Sequence, residues 1–233
     1  MKQITSIDIG RTRYADAWDL QGKLFDMRRE RRTGDMLLYT EHNHVYTIGK
    51  GGDQNHLLAT KSELEEGGVD VFQIDRGGDI TYHGPGQIVG YPIIDLQEYR
   101  TDLHWYLRSL EDVVIRAIRE YGLEGGREDG MTGVWVGGEK IAAIGVKVSR
   151  WITMHGFALN VNTDLSKFGR IIPCGIFHKG VTSMERMLGR RVEMSDVHDS
   201  LDKAFENVFG RPVTRHNASV LKQLLESNEL EKA

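Results

Sequence analysis

One stretch, Asp75-Arg-Gly-Gly-Asp-Ile-Thr-Tyr-His-Gly-Pro-Gly-Gln-Ile-Val-Gly-Tyr91, constrains the fold of this chain more than any other. Five of the chain's 27 glycines fall in it, at Gly77, Gly78, Gly84, Gly86 and Gly90. Glycine tolerates positive φ and close backbone approach. Between the glycines stand polar groups suited to a ligand: Arg76, Asp79, Thr81, Tyr82, His83 and Gln87. Val71–Ile74 on one side alternates like a half-buried strand, and Ile88–Ile94 on the other is apolar and strand-like. A loop held this way lets a ligand lie on the main chain. The plainer alternative is a long glycine turn with a cap or two.

The rest of the chain supplies strands and helices around that stretch. Gln3–Ile9, Met36–Glu41, Val45–Ile48 and Ile152–Asn160 read as strands. Val134–Val136 and Lys140–Val148 read as a hairpin turned on Gly137-Gly138. Tyr14, Ala17, Trp18, Gln21, Leu24, Phe25 and Arg28 recur at helical spacing, which predicts a helix over 12–31. Leu103, Tyr106, Leu110, Val113, Val114, Ala117 and Ile118 predict another over 101–122, with Thr101 as its N-cap. Shorter helices are expected over 62–66, 195–209 and a charged, peripheral 217–231. The fold class expected is α+β: a single domain with a mixed β-sheet, strands clustered in the middle, and helices packed at the ends and on one face.

A chain of 233 residues with 39% hydrophobic and 27% charged content makes an ordinary core. A net charge of −4 offers no general case for nucleic acid. No apolar run approaches the roughly 18 residues a membrane span needs. Met1-Lys-Gln-Ile-Thr-Ser6 has no apolar signal core. A single cysteine cannot close an internal disulfide, so a cytoplasmic protein is expected.

Several residues are candidates for chemistry. Cys174, in Pro173-Cys-Gly175, is the only thiol. A lone cysteine can also be a small buried apolar residue. Lys140, at the head of Ile141-Ala-Ala-Ile-Gly-Val146, can point into a site or end a strand in solvent. His155 offers a partner for a Cys–His pair, or a structural hydrogen bond. His42 and His44 would share a strand face but have no third ligand, so no metal site is expected. Arg28, Arg29, Arg31 and Arg32 form a solvated helix end or a patch for an acidic partner. The phosphate-loop and dinucleotide glycine fingerprints are both missing.

Taken together, Arg76-Gly-Gly, Thr81-Tyr-His83, Gly86-Gln87 and Tyr91 resemble the signature of the octanoyltransferases, the lipoyl(octanoyl) transferase family. The likeness continues through Glu41-His42, Val45–Gly49, Lys140–Gly145, His155–Asn160 and Ile172–Gly175. It spans roughly residues 1–215, an acyltransferase catalytic domain of the biotin/lipoate protein ligase type, leaving 216–233 as a charged helix or tail. The resemblance implies transfer of an octanoyl group from octanoyl-acyl carrier protein to a lysine of lipoyl domains. The acceptors implied are the E2 subunits of 2-oxoacid dehydrogenases and the glycine cleavage H protein. It implies a cysteine acyl-thioester on Cys174, with Lys140 lowering its pKa, and no cofactor or ATP. The acyl-site segments implied are Arg76, Gly77, Gly78, Asp79, Ile80, Thr81, Tyr82 and His83; Ala143, Ile144 and Gly145; and Gly156, Phe157 and Ala158. Among these, Tyr82, Ile144 and Phe157 are expected as walls of an apolar slot, in which each buried methylene contributes about 0.8 kcal/mol.

Overall fold

The computed structural model describes residues 2–172 and 180–230. Eleven strands and six α-helices follow one another in it. The strands are β1 (Ile4–Thr12), β2 (Asp35–His42), β3 (Val45–Ile48), β4 (Asp70–Gln73), β5 (Ile80–His83), β6 (Gln87–Ile93), β7 (Gly126–Glu128), β8 (Met131–Val136), β9 (Glu139–Ser149), β10 (Ile152–Asn160) and β11 (Val213–His216). The helices are α1 (Tyr14–Arg29), α2 (Lys61–Glu66), α3 (Leu103–Arg119), α4 (Met184–Leu188), α5 (Met194–Phe209) and α6 (Ser219–Leu230).

Eight strands form one mixed sheet in the order β11-β1-β2-β6-β10-β9-β8-β7, parallel only among β11, β1 and β2. A second sheet of three strands, β4-β3-β5, carries the start of the glycine-rich stretch. The hairpin on Gly137-Gly138 forms as expected. Both glycines take positive φ, 59° and 83°, as such a two-residue turn requires.

Helices cover both faces of the large sheet, not one. The alternation of side chains along each strand sends two apolar sets in opposite directions. Leu37, Tyr39, Ile88, Phe157 and Leu159 pack with α3 and α5. Leu38, Val89, Tyr91, Met154 and Ala158 pack beneath α1, with Leu221 of α6 beside them. Because both faces are apolar, each requires a cover.

Two local expectations are corrected. The N-cap of α3 is Asp102, whose carboxylate accepts the Trp105 amide at 3.0 Å; Thr101 lies one residue too early for that bond. The basic end of α1 is not wholly solvated. Arg28 is 4% exposed and reaches Asp35 at 2.8 Å, Glu98 at 3.0 Å and Asp95 at 3.7 Å. Three acidic groups gathered at the ends of β2 and β6 draw that side chain inward, so Arg28 cannot serve as part of a docking patch. Arg29 instead pairs with Asp26 on the surface.

Candidate active site

The two sheets face each other across a cavity of about 840 Å³, its mouth included. The large sheet supplies the floor. Register places Val89, Ala158 and Ala143 side by side in one row, and Gly156 beside Gly145 in the next. The row contracts from Val and Ala to glycine, leaving space above the main chain. The roof is the Arg76–His83 segment and β5.

Roof and floor touch at Gly77. Gly77 donates its amide to the Val146 carbonyl at 2.9 Å. A β-carbon on Gly145 would stand only 2.8 Å from the Gly77 carbonyl oxygen. Only glycine at 145 permits the crossing.

Of the expected acyl-site residues, Arg76, Gly78, Asp79, Ile80, Thr81, His83, Ala143, Ile144, Gly145, Gly156, Phe157 and Ala158 line this cavity, and Lys140 lines it too. Two do not. Gly77 forms the crossing just described. Tyr82 alternates to the opposite side of β5, where it is fully buried against Tyr46 and Phe168 and its hydroxyl meets His44 Nδ1 at 2.7 Å. It is therefore no wall of the slot. Phe157 and Ile144, paired across β10 and β9, turn their side chains to the α3 and α5 side, so those side chains are not its walls either. Cys174 lies outside the described residues. Its flanks do not: Gly180 accepts the Lys140 amide at 2.9 Å, and the Thr182 amide is donated to the Lys140 carbonyl at 3.0 Å. Lys140 Nζ also lies 4.9 Å from the centre of the Trp135 ring.

A directed hydrogen-bond chain ties roof to floor. Arg76 Nη2 donates to Thr47 Oγ1 at 3.0 Å, and Thr47 Oγ1 lies 3.4 Å from His83 Nε2. On the other side of the ring, His83 Nδ1 meets Gln87 Oε1 at 2.8 Å. Gln87 Nε2 donates to Asn160 Oδ1 at 2.9 Å, and Asn160 Nδ2 donates to the Thr182 carbonyl at 3.0 Å. Since the Gln87 oxygen only accepts, His83 carries its proton on Nδ1 and its Nε2 accepts from Thr47. Burial pushes the His83 pKa down to about 3, with repulsion from His42 adding to it, so the ring is neutral at pH 7. His42 is likewise held neutral, its pKa lowered to about 4 by burial. It bonds Tyr91 Oη at 2.6 Å while His44 bonds Tyr82, so the two histidines do not share a face. Among the described residues no group of three or more His, Cys, Asp or Glu could hold a metal.

His155 stands at the far side of the cavity. Its φ of +59° is left-handed within a strand. The β6–β10 ladder ends at Phe157 and Gly90, and continuing that register puts Pro92 opposite His155. The His155 amide is donated instead to Gln21 Oε1 at 3.0 Å, and its Nε2 meets Asp75 Oδ1 at 2.8 Å. Asp75 also binds Lys147 at 2.6 Å. Burial alone would raise the Asp75 pKa, but hydrogen bonds from His155 and Lys147 outweigh it and hold the carboxyl below its ordinary range.

Sequence reasoning missed Tyr14, Val89, Tyr91, Thr132, Asn160, Phe168 and Val181 as lining residues. For some a signal existed. Val89 and Tyr91 lie two and four residues beyond Gln87 on one strand, and Asn160 two beyond Ala158, so each shares its face. Nothing local marks Tyr14, which arrives from α1.

Residues 13–206 match the lipoyl protein ligase A/B catalytic domain family, so fold and cavity together define a catalytic domain of that class. The lipoate protein ligase of Thermoplasma acidophilum superposes with a TM-score of 0.69, over 97% of this chain and 91% of that one, at 15% identity. An octanoyltransferase of Flavobacterium johnsoniae is 49% identical over 225 residues, covering 89% of this chain and 97% of its own length. One of Rubrobacter xylanophilus is 55% identical over 205 residues, covering 87% and 92%. Within the ligase-type class, this chain belongs to the octanoyltransferase family of acyltransferases.

Proposed function

We propose that the chain transfers an octanoyl group from octanoyl-acyl carrier protein to a lysine of lipoyl domains, through a thioester on Cys174 and without ATP. The acceptors are lipoyl domains of 2-oxoacid dehydrogenase E2 subunits and the glycine cleavage H protein. The observation that carries this reading is the position of Lys140. It lines the cavity floored by Ala143, Gly156 and Ala158, and its main chain is bonded to Gly180 and Thr182, which follow the Cys174 segment. A cation there favours a thiolate, the form of cysteine that attacks a thioester.

The Cys174 sulfur adds to the donor carbonyl. The tetrahedral adduct then collapses, the carbon–sulfur bond to the carrier breaks, and the departing carrier thiolate takes a proton from Lys140. Thiol and thioester are exchanged, so no energy from a nucleotide is required. The acceptor lysine then attacks as the free amine. Neutral Lys140 takes its proton, the Cys174–acyl bond breaks, and an amide is released. The tetrahedral oxyanion needs preorganised donors. The Gly77 amide is committed to Val146 and the Ile80 amide to Asp79 Oδ1, so the donors are drawn from amides beside Cys174 and the other amides of the Arg76–His83 segment. Burying the six methylenes of the chain contributes about 5 kcal/mol to holding it.

The test supplies purified protein with octanoyl-carrier and a lipoyl domain, and separately with free octanoate, ATP and the same domain. Octanoyl amide should form in the first mixture without nucleotide. Product only in the second mixture would replace this reading with an adenylate-forming ligase.

A further inference from the structure

We propose that Asp75, held by His155 and Lys147, is a latch that closes the far end of the acyl slot and sets the longest chain the enzyme accepts. The inference rests on the acyl transfer proposed above. It names residues outside the acyl-site segments as specificity determinants.

The slot has a direction. Lys140 stands at its reactive end. Five residues along β9, about 16 Å at strand spacing, Gly77 crosses Gly145 and the roof meets the floor. Eight extended carbons span about 9 Å, and a van der Waals contact of about 3.5–4 Å at each end brings the length they need to about 16 Å. Beside that contact, the roof is held down by Asp75, two residues before the crossing. Asp75 is joined to β9 by Lys147 Nζ at 2.6 Å and to β10 by His155 Nε2 at 2.8 Å. One carboxylate thus ties the start of the roof to both floor strands.

The backbone at His155 is built for this contact. Alternation along β10 sends Thr153 and Phe157 to the α3 side, and an extended residue 155 would follow them. The left-handed φ turns its ring to the cavity side instead. Such a conformation at a non-glycine residue is unfavourable and persists where surroundings enforce it. Here the Gln21 bond to its amide and the Asp75 bond to its ring do so. Asp75 is a third exposed, and the Lys147 side chain 30%, so the latch lies at the protein surface and its loss opens the slot outward.

The experiment offers equimolar octanoyl- and dodecanoyl-carrier donors to wild type, Asp75→Asn and Lys147→Met, and reads the acyl mass on the acceptor lysine. Wild type should transfer octanoyl almost alone. In Asp75→Asn the dodecanoyl-to-octanoyl product ratio should rise about tenfold or more, with Lys147→Met moving it the same way by less. A latch that merely stabilised the fold would depress both products together and leave the ratio unchanged. An unchanged ratio in both variants overturns the proposal, and Lys147→Met alone decides it should Asp75→Asn not fold. A wild type that transfers no octanoyl at all would instead refute the acyl-transfer reading, independently of the latch.

Discussion

The carbonyl oxygen of Gly77 lies 2.8 Å from where a β-carbon of Gly145 would stand, and the Gly77 amide is bonded to Val146 beside it. Two glycines distant in sequence thus seat roof on floor. In Gly145→Ala the added methyl meets main chain, which cannot swing aside as a side chain would. We expect a stability loss of roughly 1–3 kcal/mol from the overpacking. We also expect a fall in kcat/KM on the order of a hundredfold as the roof lifts. Thermal unfolding and steady-state transfer measure the two; wild-type kinetics in the variant would show that the contact does not shape the slot.

In the proposed reaction Lys140 acts through charge and through proton transfer. Lys140→Ala should return the Cys174 thiol toward its ordinary pKa of about 8.5, read by thiolate absorbance against pH. Lys140→Arg should preserve much of the thiolate yet lose turnover, because a guanidinium does not give up its proton. Identical titrations in wild type and Lys140→Ala would separate the two residues.

Acid should unfold this protein through its buried histidines. His83 and His42 have folded pKa values lowered to about 3 and about 4. Between pH about 6.5 and 4 the unfolded chain binds protons on both rings and the folded chain on neither. Stability is therefore full above that window and falls as pH drops through it, by up to about 1.4 kcal/mol per pH unit for each ring. Urea midpoints at about pH 7.5 and about pH 5 should differ more in wild type than in a His42→Gln/His83→Gln variant; equal differences would contradict the assignment.

Arg28 links Asp35, Asp95 and Glu98 at the ends of β2 and β6. Arg28→Met should cost roughly 1–3 kcal/mol, since Arg211 still pairs with Asp35 and Glu98, whereas Arg29→Met, on the surface, should cost less than about 1 kcal/mol. Denaturant titration of the two variants compares them directly.

Much of this architecture was legible in the residues. The strands Val45–Ile48 and Ile152–Asn160 fall where alternation and apolar runs put them, and α5 begins one residue early. The face of α1 from Tyr14 to Arg28 is the buried one. What escaped reading depends on contacts between distant segments. Arg28 turns inward because Asp35, Asp95 and Glu98 meet there, and nothing in 28–32 announces it. His155 departs from strand geometry where Gln21 on α1 takes its amide and Asp75 takes its ring. Tyr82 stands in sequence among residues that line the slot, but alternation along β5 carries it to the other side. In each case local pattern fixed the element, and the packing of another element decided the side chain.

The central claim is that the acyl group rests on one sulfur between donor and acceptor. Intact-mass measurement of the protein after incubation with octanoyl-carrier, without acceptor, tests it most directly. The account predicts a single octanoyl adduct on wild type that disappears when a lipoyl domain is added, and none on Cys174→Ala. An adduct of the same mass on Cys174→Ala, or undiminished transfer by that variant, would contradict it.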